Sequence, residues 1–446
     1  MSGQIPGPKG HWLFGSLKAF RADPISFFLD CHEQYGDVVS MRLASTKAVL
    51  VSHPDDVQRV LKTNRTSYSK RTRGILRLRE ILGEGLLTQI DKDVWLQQRR
   101  LAQPTFRPKR IDVFAEHIAQ ETLQTIRSWG ETIDAAPEVA HMTLRIAGRC
   151  FFDAETEEAA KVGDAFLDVT AINRDRFSQA FPLPLWVPTS ANRRFGRSMR
   201  TLHGMIERWI EERAGTAHER HDLLSTLMAA RDEDTDAGMS REFLRDEAVT
   251  LLGAGHETTA NALAFILQHL SSEPEVYARV REEALSAWSG PTPTLEDLRN
   301  LPYTTACIEE AMRLNPPGWL FGRLAEEDDV LSGHTIPAGT LVMMSAFLTH
   351  RRADFWAEPL AFKPERFLDK PKRHPFAYYP FSGGPRNCIG SHFAMLEMRT
   401  VIAMIARQFS GISRACDTET SWTPLVTLQP ADQVPLKLTR ASDTTG

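Results

Sequence analysis

The stretch FSGGPRNCIG, residues 381–390, contains one cysteine between a Gly-Gly-Pro turn and an Ile-Gly pair. The residues that follow, SHFAMLEMRTVIAMIARQF, have the apolar spacing of an amphipathic helix. Cys388 therefore lies just ahead of a predicted helix N-terminus, where peptide dipoles and free N–H groups favour a thiolate over a thiol. Arg386 adds a fixed cation two residues away, and the glycines of the stretch allow the backbone to approach something flat.

A single cysteine most often serves as a small buried apolar residue. Here Cys388 occurs in one short stretch together with Phe381, Gly384, Arg386 and Gly390. This combination favours a thiolate ligand to a haem iron over a plain core residue.

Composition sets the broad class. The chain has 446 residues, of which 42% are hydrophobic and 25% charged, so it can build a large core. A formal net charge of −4 argues against a nucleic-acid partner. The cysteines are scattered without a CxxC pair, and the N-terminus has no apolar leader. We therefore expect a cytoplasmic protein without a membrane anchor.

Helical patterns dominate the chain. Residues 38–60 predict two short strands, a turn and the start of a helix, and residues 93–290 are mostly helical in pattern. Short alternating segments at 315–350 and 421–440 predict small strands. A minor sheet drawn from both chain ends favours one integrated domain over residues 1–446.

The stretch LLGAGHETTA, residues 251–260, interrupts an apolar helix pattern of about thirty residues. A glycine inside a helix costs roughly 0.5–1 kcal/mol against alanine, and a buried acid needs a partner. The spacing of Gly253, Gly255 and Thr258 is a partial dinucleotide-binding fingerprint. A threonine in the third position and a preceding helix, rather than a strand, argue against that alternative.

Residues 381–390 resemble the haem-binding loop of the cytochrome P450 family, FxxGxRxCxG, at every defining position. The resemblance implies that Cys388 is the axial ligand of haem b and that Arg386 pairs with a haem propionate. Phe381 would pack beside the sulfur, and Gly390 would belong to the cofactor-binding loop. A thiolate ligand pushes electron density onto iron and favours O–O cleavage.

Further segments resemble the same family in the same order. EEAMR places Glu310 and Arg313 on one helix face, and FKPERF supplies Arg366. The resemblance implies that these three side chains form a buried, structural ion triad.

Two other segments resemble family positions that bind the haem. Trp95 and Arg99 lie one helical turn apart, and the family uses such a pair on a propionate. A core tryptophan beside a surface arginine is the plainer alternative. Arg323 falls where many members place another propionate-binding arginine.

AGHETT, residues 254–259, resembles the (A/G)GxxTT signature of the family's long distal helix. The resemblance implies that Ala254 and Gly255 let the helix pass close to the porphyrin and leave room for dioxygen. Thr258 would turn its hydroxyl from the usual i−4 carbonyl, open the helix locally and bind dioxygen. Glu257 would join a solvent-linked relay that delivers protons.

The fold implied is mainly α with a minor β region (α+β), a triangular helix-rich prism with haem between the distal helix and the cysteine loop. We expect a helix-rich core at about 85–320 and 388–410, and a small β region from about 38–55, 315–350 and 421–440. The implied activity is hydroxylation: one oxygen atom of O2 enters a C–H bond of a hydrophobic small molecule.

The resemblance also implies separate electron donors, a ferredoxin or flavodoxin with an NAD(P)H-dependent reductase, serving a monomeric enzyme. Such donors are acidic, so a basic docking face is expected. Residues 99–110 and 370–375 are candidates, although basic runs are more often only solvated surface.

The resemblance implies that the substrate pocket is lined by residues 76–87, 181–186 and 316–321, with Leu251 and Ala254, and these are mostly apolar. Their apolar character predicts a terpenoid, fatty-acid or polyketide substrate of secondary metabolism. The PRNC loop resembles the branch of the family rich in fatty-acid and terpenoid hydroxylases. A peroxide-driven peroxygenase of the same fold and a non-catalytic haem sensor are the alternatives. Neither needs an acid–threonine pair, which this chain has.

Overall fold

The computed structural model describes residues 5–154, 156–178, 183–217, 220–232, 236–369, 372–416, 421–431 and 433–441. The backbone groups into two compact units. The first comprises Met1–Leu76, Ala306–Ile389 and Trp422–Gln429, and the second comprises Arg77–Thr305, Gly390–Ser421 and Pro430–Gly446. The single domain expected over residues 1–446 stays a prediction.

Helices dominate the described residues, as the sequence predicts. They are α1 Leu17–Ala22, α2 Pro24–Tyr35, α3 Pro54–Gln58, α4 Arg73–Leu82, α5 Lys92–Ala102, α6 Pro108–Ile111, α7 Ala115–Ser128, α8 Ala135–Phe152, α9 Thr156–Ser178, α10 Ser190–Glu212, α11 Leu223–Ala229, α12 Arg241–Ser272, α13 Pro274–Ala287, α14 Leu295–Arg299, α15 Pro302–Leu314, α16 Ala346–Thr349, α17 Glu365–Leu368 and α18 Ser391–Gln408. Among the helices of the described ranges, none has the length and apolar character that a bilayer crossing requires.

The strands of the described residues are short and form four small sheets. They are β1 Val38–Leu43, β2 Thr46–Val51, β3 Tyr68–Ser69, β4 Thr132–Asp134, β5 Leu320–Ala325, β6 Asp329–Leu331, β7 His334–Ile336, β8 Leu341–Ser345, β9 Phe409–Arg414, β10 Trp422–Pro424, β11 Leu428–Pro430 and β12 Pro435–Arg440. The sheet orders are β1-β2-β8-β5-β3, β4-β12-β9, β10-β11 and β6-β7.

The five-stranded sheet forms the core of the first unit. β1 and β2 pair antiparallel with Val38 opposite Val51, and β2 runs parallel to β8 with Ala48 opposite Leu341. The valines of β2 and β8 are buried, which is typical of central strands. The two strands and helix start predicted for residues 38–60 are confirmed.

The sequence predicts one sheet drawn from both chain ends, but the C-terminal strands do not join the five-stranded sheet. In the described part of the chain, β12 pairs antiparallel with β9 and β4, with Leu436 opposite Ile133. β9 begins directly where α18 ends, at Phe409, so its nearest partners belong to the second unit. β10 and β11, the two other strands described after β9, pair with each other.

A buried ion triad joins α15 to the segment around α17. Arg313 Nε lies 2.7 Å from Glu310 Oε2, and Arg366 Nε lies 3.0 Å from Glu310 Oε1. The side chains of Glu310 and Arg313 are fully buried. Arg313 also donates to the carbonyl oxygens of His350 and Pro359. Because each buried charge has a partner, the triad can bind this segment tightly without an unpaired ion.

Candidate functional site

The cysteine loop has a shape fixed by its own backbone. The Cys388 N–H donates to the Phe381 carbonyl oxygen at 2.9 Å, and residues Gly384–Arg386 form one 3-10 turn. Gly384 has φ +69°, and a Cβ there would lie 1.9 Å from the Leu61 carbonyl oxygen. Glycine is therefore required at 384, and the loop leaves Cys388 exposed. The helix predicted after the loop is confirmed as α18.

Gly390 differs from Gly384, because neither strain nor packing in the described chain demands a glycine there. Its φ is −90°, and a Cβ built on it would meet nothing within 4 Å. The open space beside Gly390, two residues from an exposed thiol, fits a flat prosthetic group that approaches the backbone.

Three cations lie close together in the first unit. Burial lowers the pKa of Arg323 to about 10, and burial with the charge of Arg323 does the same to the pKa of Arg386. Burial and both arginines lower the pKa of Lys70 well below its ordinary value. Because these like charges repel one another, the cluster favours the binding of an anion with more than one carboxylate. A haem with two propionates has that chemistry.

Lys70 was missed by sequence reasoning. It follows the two-residue strand β3, which pairs with β5, the strand that carries Arg323. An isolated Ser-Lys pair has no motif, so only the sheet pairing identifies the lysine as a neighbour of Arg323.

The middle of α12 has an accessible face. Ala254 is exposed, and Glu257 and Thr258 are half-buried, while most of the helix is buried. A Cβ on Gly255 would lie 2.7 Å from the ring of Phe151, and one on Gly253 would lie 2.6 Å from the ring of Phe166. The glycines therefore accommodate aromatic rings from α8 and α9, a physical reason that the sequence analysis did not give.

The Thr258 hydroxyl has a different partner from the one expected. It donates to the Ala254 carbonyl oxygen at 2.6 Å, and α12 continues without a break. The expectation that this hydroxyl turns away from the i−4 carbonyl and opens the helix is wrong for this structure. A threonine hydroxyl reaches that carbonyl easily, and both of its lone pairs can still accept hydrogen bonds.

Two titratable side chains of the second unit are buried, one on α12 and one on α18. His256 lies 2.9 Å from the Thr143 hydroxyl, and burial with His141 lowers the pKa of His256 to about 4. On α18, burial raises the pKa of Glu397 well above its ordinary value. The imidazole of His256 is therefore neutral at pH 7, where it anchors α12 to α8.

Trp95 and Arg99 both lie on α5. Trp95 is buried and Arg99 is half-buried, and the positive charge of Arg99 acts on the buried carboxyl of Glu247. The pair thus shares the second unit with residues 254–258 and Gly390, whereas Arg323, Phe381, Arg386 and Cys388 share the first.

The segments expected to line the pocket divide into exposed and buried parts. Leu76, Leu87 and Ala254 are exposed. Trp319 is instead a core residue, 3% exposed, whose indole N–H donates to the Leu425 carbonyl oxygen at 3.0 Å. Residues 181–182 lie outside the described residues.

The basic residues expected to form a docking face differ in their surroundings. Arg107, Lys109 and Arg110 are exposed at the start of α6. Arg373 instead stacks 3.9 Å from the centre of the Trp356 ring. Residues 370–371 lie outside the described residues.

In the first unit, the exposed cysteine in a glycine-shaped loop and the neighbouring cationic cluster have the chemistry that a haem-thiolate site requires. The family model described as Cytochrome P450 matches residues 5–435. The chain is 34% identical to cyclooctat-9-en-7-ol 5-monooxygenase of Streptomyces melanosporofaciens, over 89% of this chain and 87% of that protein. It is 33% identical to pentalenene oxygenase of Streptomyces avermitilis, over 92% of each chain. A third relative, cyclooctatin synthase of Streptomyces melanosporofaciens, is 33% identical over 90% of this chain and 88% of the relative.

The chain belongs to the cytochrome P450 family. It is a monooxygenase that uses haem b and O2, acts on hydrophobic substrates and needs redox partners. The predictions of family, fold class, activity and cofactor are confirmed.

Proposed function

We propose that this chain hydroxylates a cyclic terpenoid in the bacterial cytoplasm, as a monomer that takes electrons from a ferredoxin or flavodoxin. The observation that carries the substrate class is its likeness, over about nine-tenths of its length, to relatives named for cyclooctat-9-en-7-ol and pentalenene. The exposed leucines 76 and 87 support an apolar ligand. The scattered cysteines, without a CxxC pair, suit a reducing compartment.

Each site residue then has a role. The haem, when bound through the Cys388 thiolate, supplies the activation of O2 for insertion into a C–H bond. Arg323 and Arg386, with Lys70, would receive the propionates, and Phe381 and Gly390 would belong to the cofactor-binding loop. Trp95 and Arg99 would provide a further propionate contact, and the triad of Glu310, Arg313 and Arg366 would be structural.

Proton delivery belongs to α12. The Thr258 hydroxyl, anchored on the Ala254 carbonyl, keeps two lone pairs to accept a hydrogen bond. Glu257 is half-buried one residue before it, so its carboxyl can exchange protons with solvent. Together the two side chains hold and move the protons that the reaction consumes.

Electron donors would dock through charge. Arg107, Lys109 and Arg110 form an exposed basic group that complements an acidic ferredoxin or flavodoxin. Raising the salt concentration should therefore slow electron transfer.

Replacing Arg323 with glutamine should weaken haem retention without weakening the haem-free fold. Losing a charged hydrogen bond to a propionate should speed haem transfer to apomyoglobin by about tenfold or more. The haem-free variant should resist urea at least as well as the parent, because one of three repelling charges is gone. Arg65→Gln, an exposed arginine of the same unit, is the control. Unchanged haem retention would contradict the propionate role of Arg323.

Thr258→Ala should separate electron consumption from product formation. Without the hydroxyl, proton delivery is misdirected. The amount of product formed per NADPH consumed should therefore fall by roughly tenfold or more, while the release of hydrogen peroxide rises. Thr259→Ala, one position along the same helix but facing the interior, should keep its coupling. Equal coupling in both variants would remove Thr258 from the relay.

The proposed activity is tested by turnover of defined substrates with defined donors. We expect pentalenene and other cyclic terpenes to shift the haem spin state and to be hydroxylated with ferredoxin or flavodoxin, reductase and NADPH. Lauric acid and a macrolactone, tested in parallel, should give weaker shifts. Turnover with peroxide alone that equals turnover with donors would favour a peroxygenase, and haem binding without any turnover would favour a sensor.

A further inference from the structure

Two consecutive acids of α12, Asp246 and Glu247, bind the backbone of the loop that follows α4. The Glu84 N–H donates to Asp246 Oδ2 at 2.8 Å, and the Leu86 N–H donates to Glu247 Oε2 at 2.8 Å. Both acids are buried, Glu247 almost completely. We call this pair of acids the carboxylate clamp.

The loop has glycines where it meets the clamp. Gly83 has φ +59°, and a Cβ there would lie 2.1 Å from Asp246 Oδ2. A Cβ on Gly85 would lie 2.9 Å from Glu247 Oε2 and 2.6 Å from the Thr250 hydroxyl. Any side chain at either position would push the loop off the helix, so the sequence Gly-Glu-Gly is matched to the two carboxylates.

The clamp carries an electrostatic cost that packing alone does not explain. Burial raises the pKa of Glu247 to about 7, and the neighbouring Asp246 adds to this rise. The Leu86 N–H and the charge of Arg99, on α5, act in the opposite direction. Asp246 binds Arg245 as well, with 2.8 Å between Nη2 and Oδ1. An apolar residue at 247 would avoid this cost, but it would leave the buried Leu86 N–H without an acceptor.

The clamp links two parts of the site in the second unit. Ala254 and Thr258 lie seven and eleven residues beyond Glu247 on the same helix, about 10 and 16 Å along its axis. The clamped loop carries Leu86, which is buried, and Leu87, which is exposed. One rigid helix therefore fixes the accessible face at 254–258 and an apolar loop that the sequence assigns to the substrate pocket.

We propose that Asp246 and Glu247 are positioning residues that hold the Gly83–Leu87 loop against α12 and thereby determine which bulky apolar molecules fit the oxygenation site. The proposal rests on the proposed function in one respect, the assignment of residues 76–87 to the substrate pocket. It concerns fit in the pocket and does not depend on which terpenoid is the natural substrate.

Hydrogen–deuterium exchange of the haem-loaded enzyme tests the contact itself. Glu247→Leu removes the acceptor, so protection of the Leu86 amide should fall by about tenfold or more. Glu247→Gln keeps a carbonyl acceptor and should retain protection. Glu242→Gln, an exposed acid in the first turn of α12, is the control and should change nothing.

The pH profile distinguishes a titrating clamp from mere packing. Ionised Glu247 accepts more strongly than its acid form and attracts Arg99, while Asp246 opposes ionisation. After correction for intrinsic exchange, Leu86 protection in the parent should rise as the pH passes about 7. The profile should be flat in Glu247→Gln, which cannot ionise.

Two haem ligands of different size test the effect on the pocket. 4-Phenylimidazole is bulky and apolar, whereas imidazole is small, and both shift the Soret band. Glu247→Leu should lower the affinity for 4-phenylimidazole by about tenfold and change the affinity for imidazole by no more than about twofold. Glu247→Gln should bind both ligands like the parent.

An unchanged ratio of the two affinities in Glu247→Leu would overturn the proposal. If Glu247→Leu cannot be purified with haem, a Glu247→Gln profile with the parent's pH dependence would overturn it. The parent enzyme could oxidise no cyclic terpene while Glu247→Leu still changes the ratio of the two ligand affinities. That result would refute the proposed substrate class and support the clamp. Terpene oxidation with an unresponsive ratio would do the reverse.

Discussion

The close approach of Gly384 to the Leu61 carbonyl determines where the reactive sulfur lies. With φ +69° and a Cβ that would come within 1.9 Å of that oxygen, this position accepts glycine and excludes other residues. The turn it permits lets the Cys388 N–H return to the Phe381 carbonyl and leaves the thiol exposed. The cations around Arg323 lie in the same unit as this loop, and they would serve a haem only because the loop presents the sulfur.

Two clusters of buried charge in this molecule differ in whether the charges neutralise one another. The triad of Glu310, Arg313 and Arg366 neutralises itself and is satisfied by backbone carbonyls, so it is suited to a structural role. Lys70, Arg323 and Arg386 repel one another and therefore favour a carboxylate-bearing partner. The same elementary electrostatics thus separates residues that hold the fold from residues that we propose bind the haem.

Motifs with close spacing were predictable from the sequence. The cysteine loop, the Glu310–Arg313 pair and the long helix α12 all follow from residues near one another in the chain. The role of Lys70 and the clamp at Glu247 were not predictable, because each depends on contacts between segments far apart in sequence. The glycines of α12 show the same limit. Their spacing identifies the family signature, but the rings that require them come from α8 and α9.

The most direct test of the central claim, thiolate ligation by Cys388, is the carbon-monoxide difference spectrum of the dithionite-reduced protein. The parent and a Cys416→Ser variant, which lacks the other exposed cysteine, should both give a strongly red-shifted Soret band. Cys388→His should give a band at the position of histidine-ligated haem. A red-shifted band that persists in Cys388→His, or a parent that takes up no haem when haem is supplied, would contradict the account.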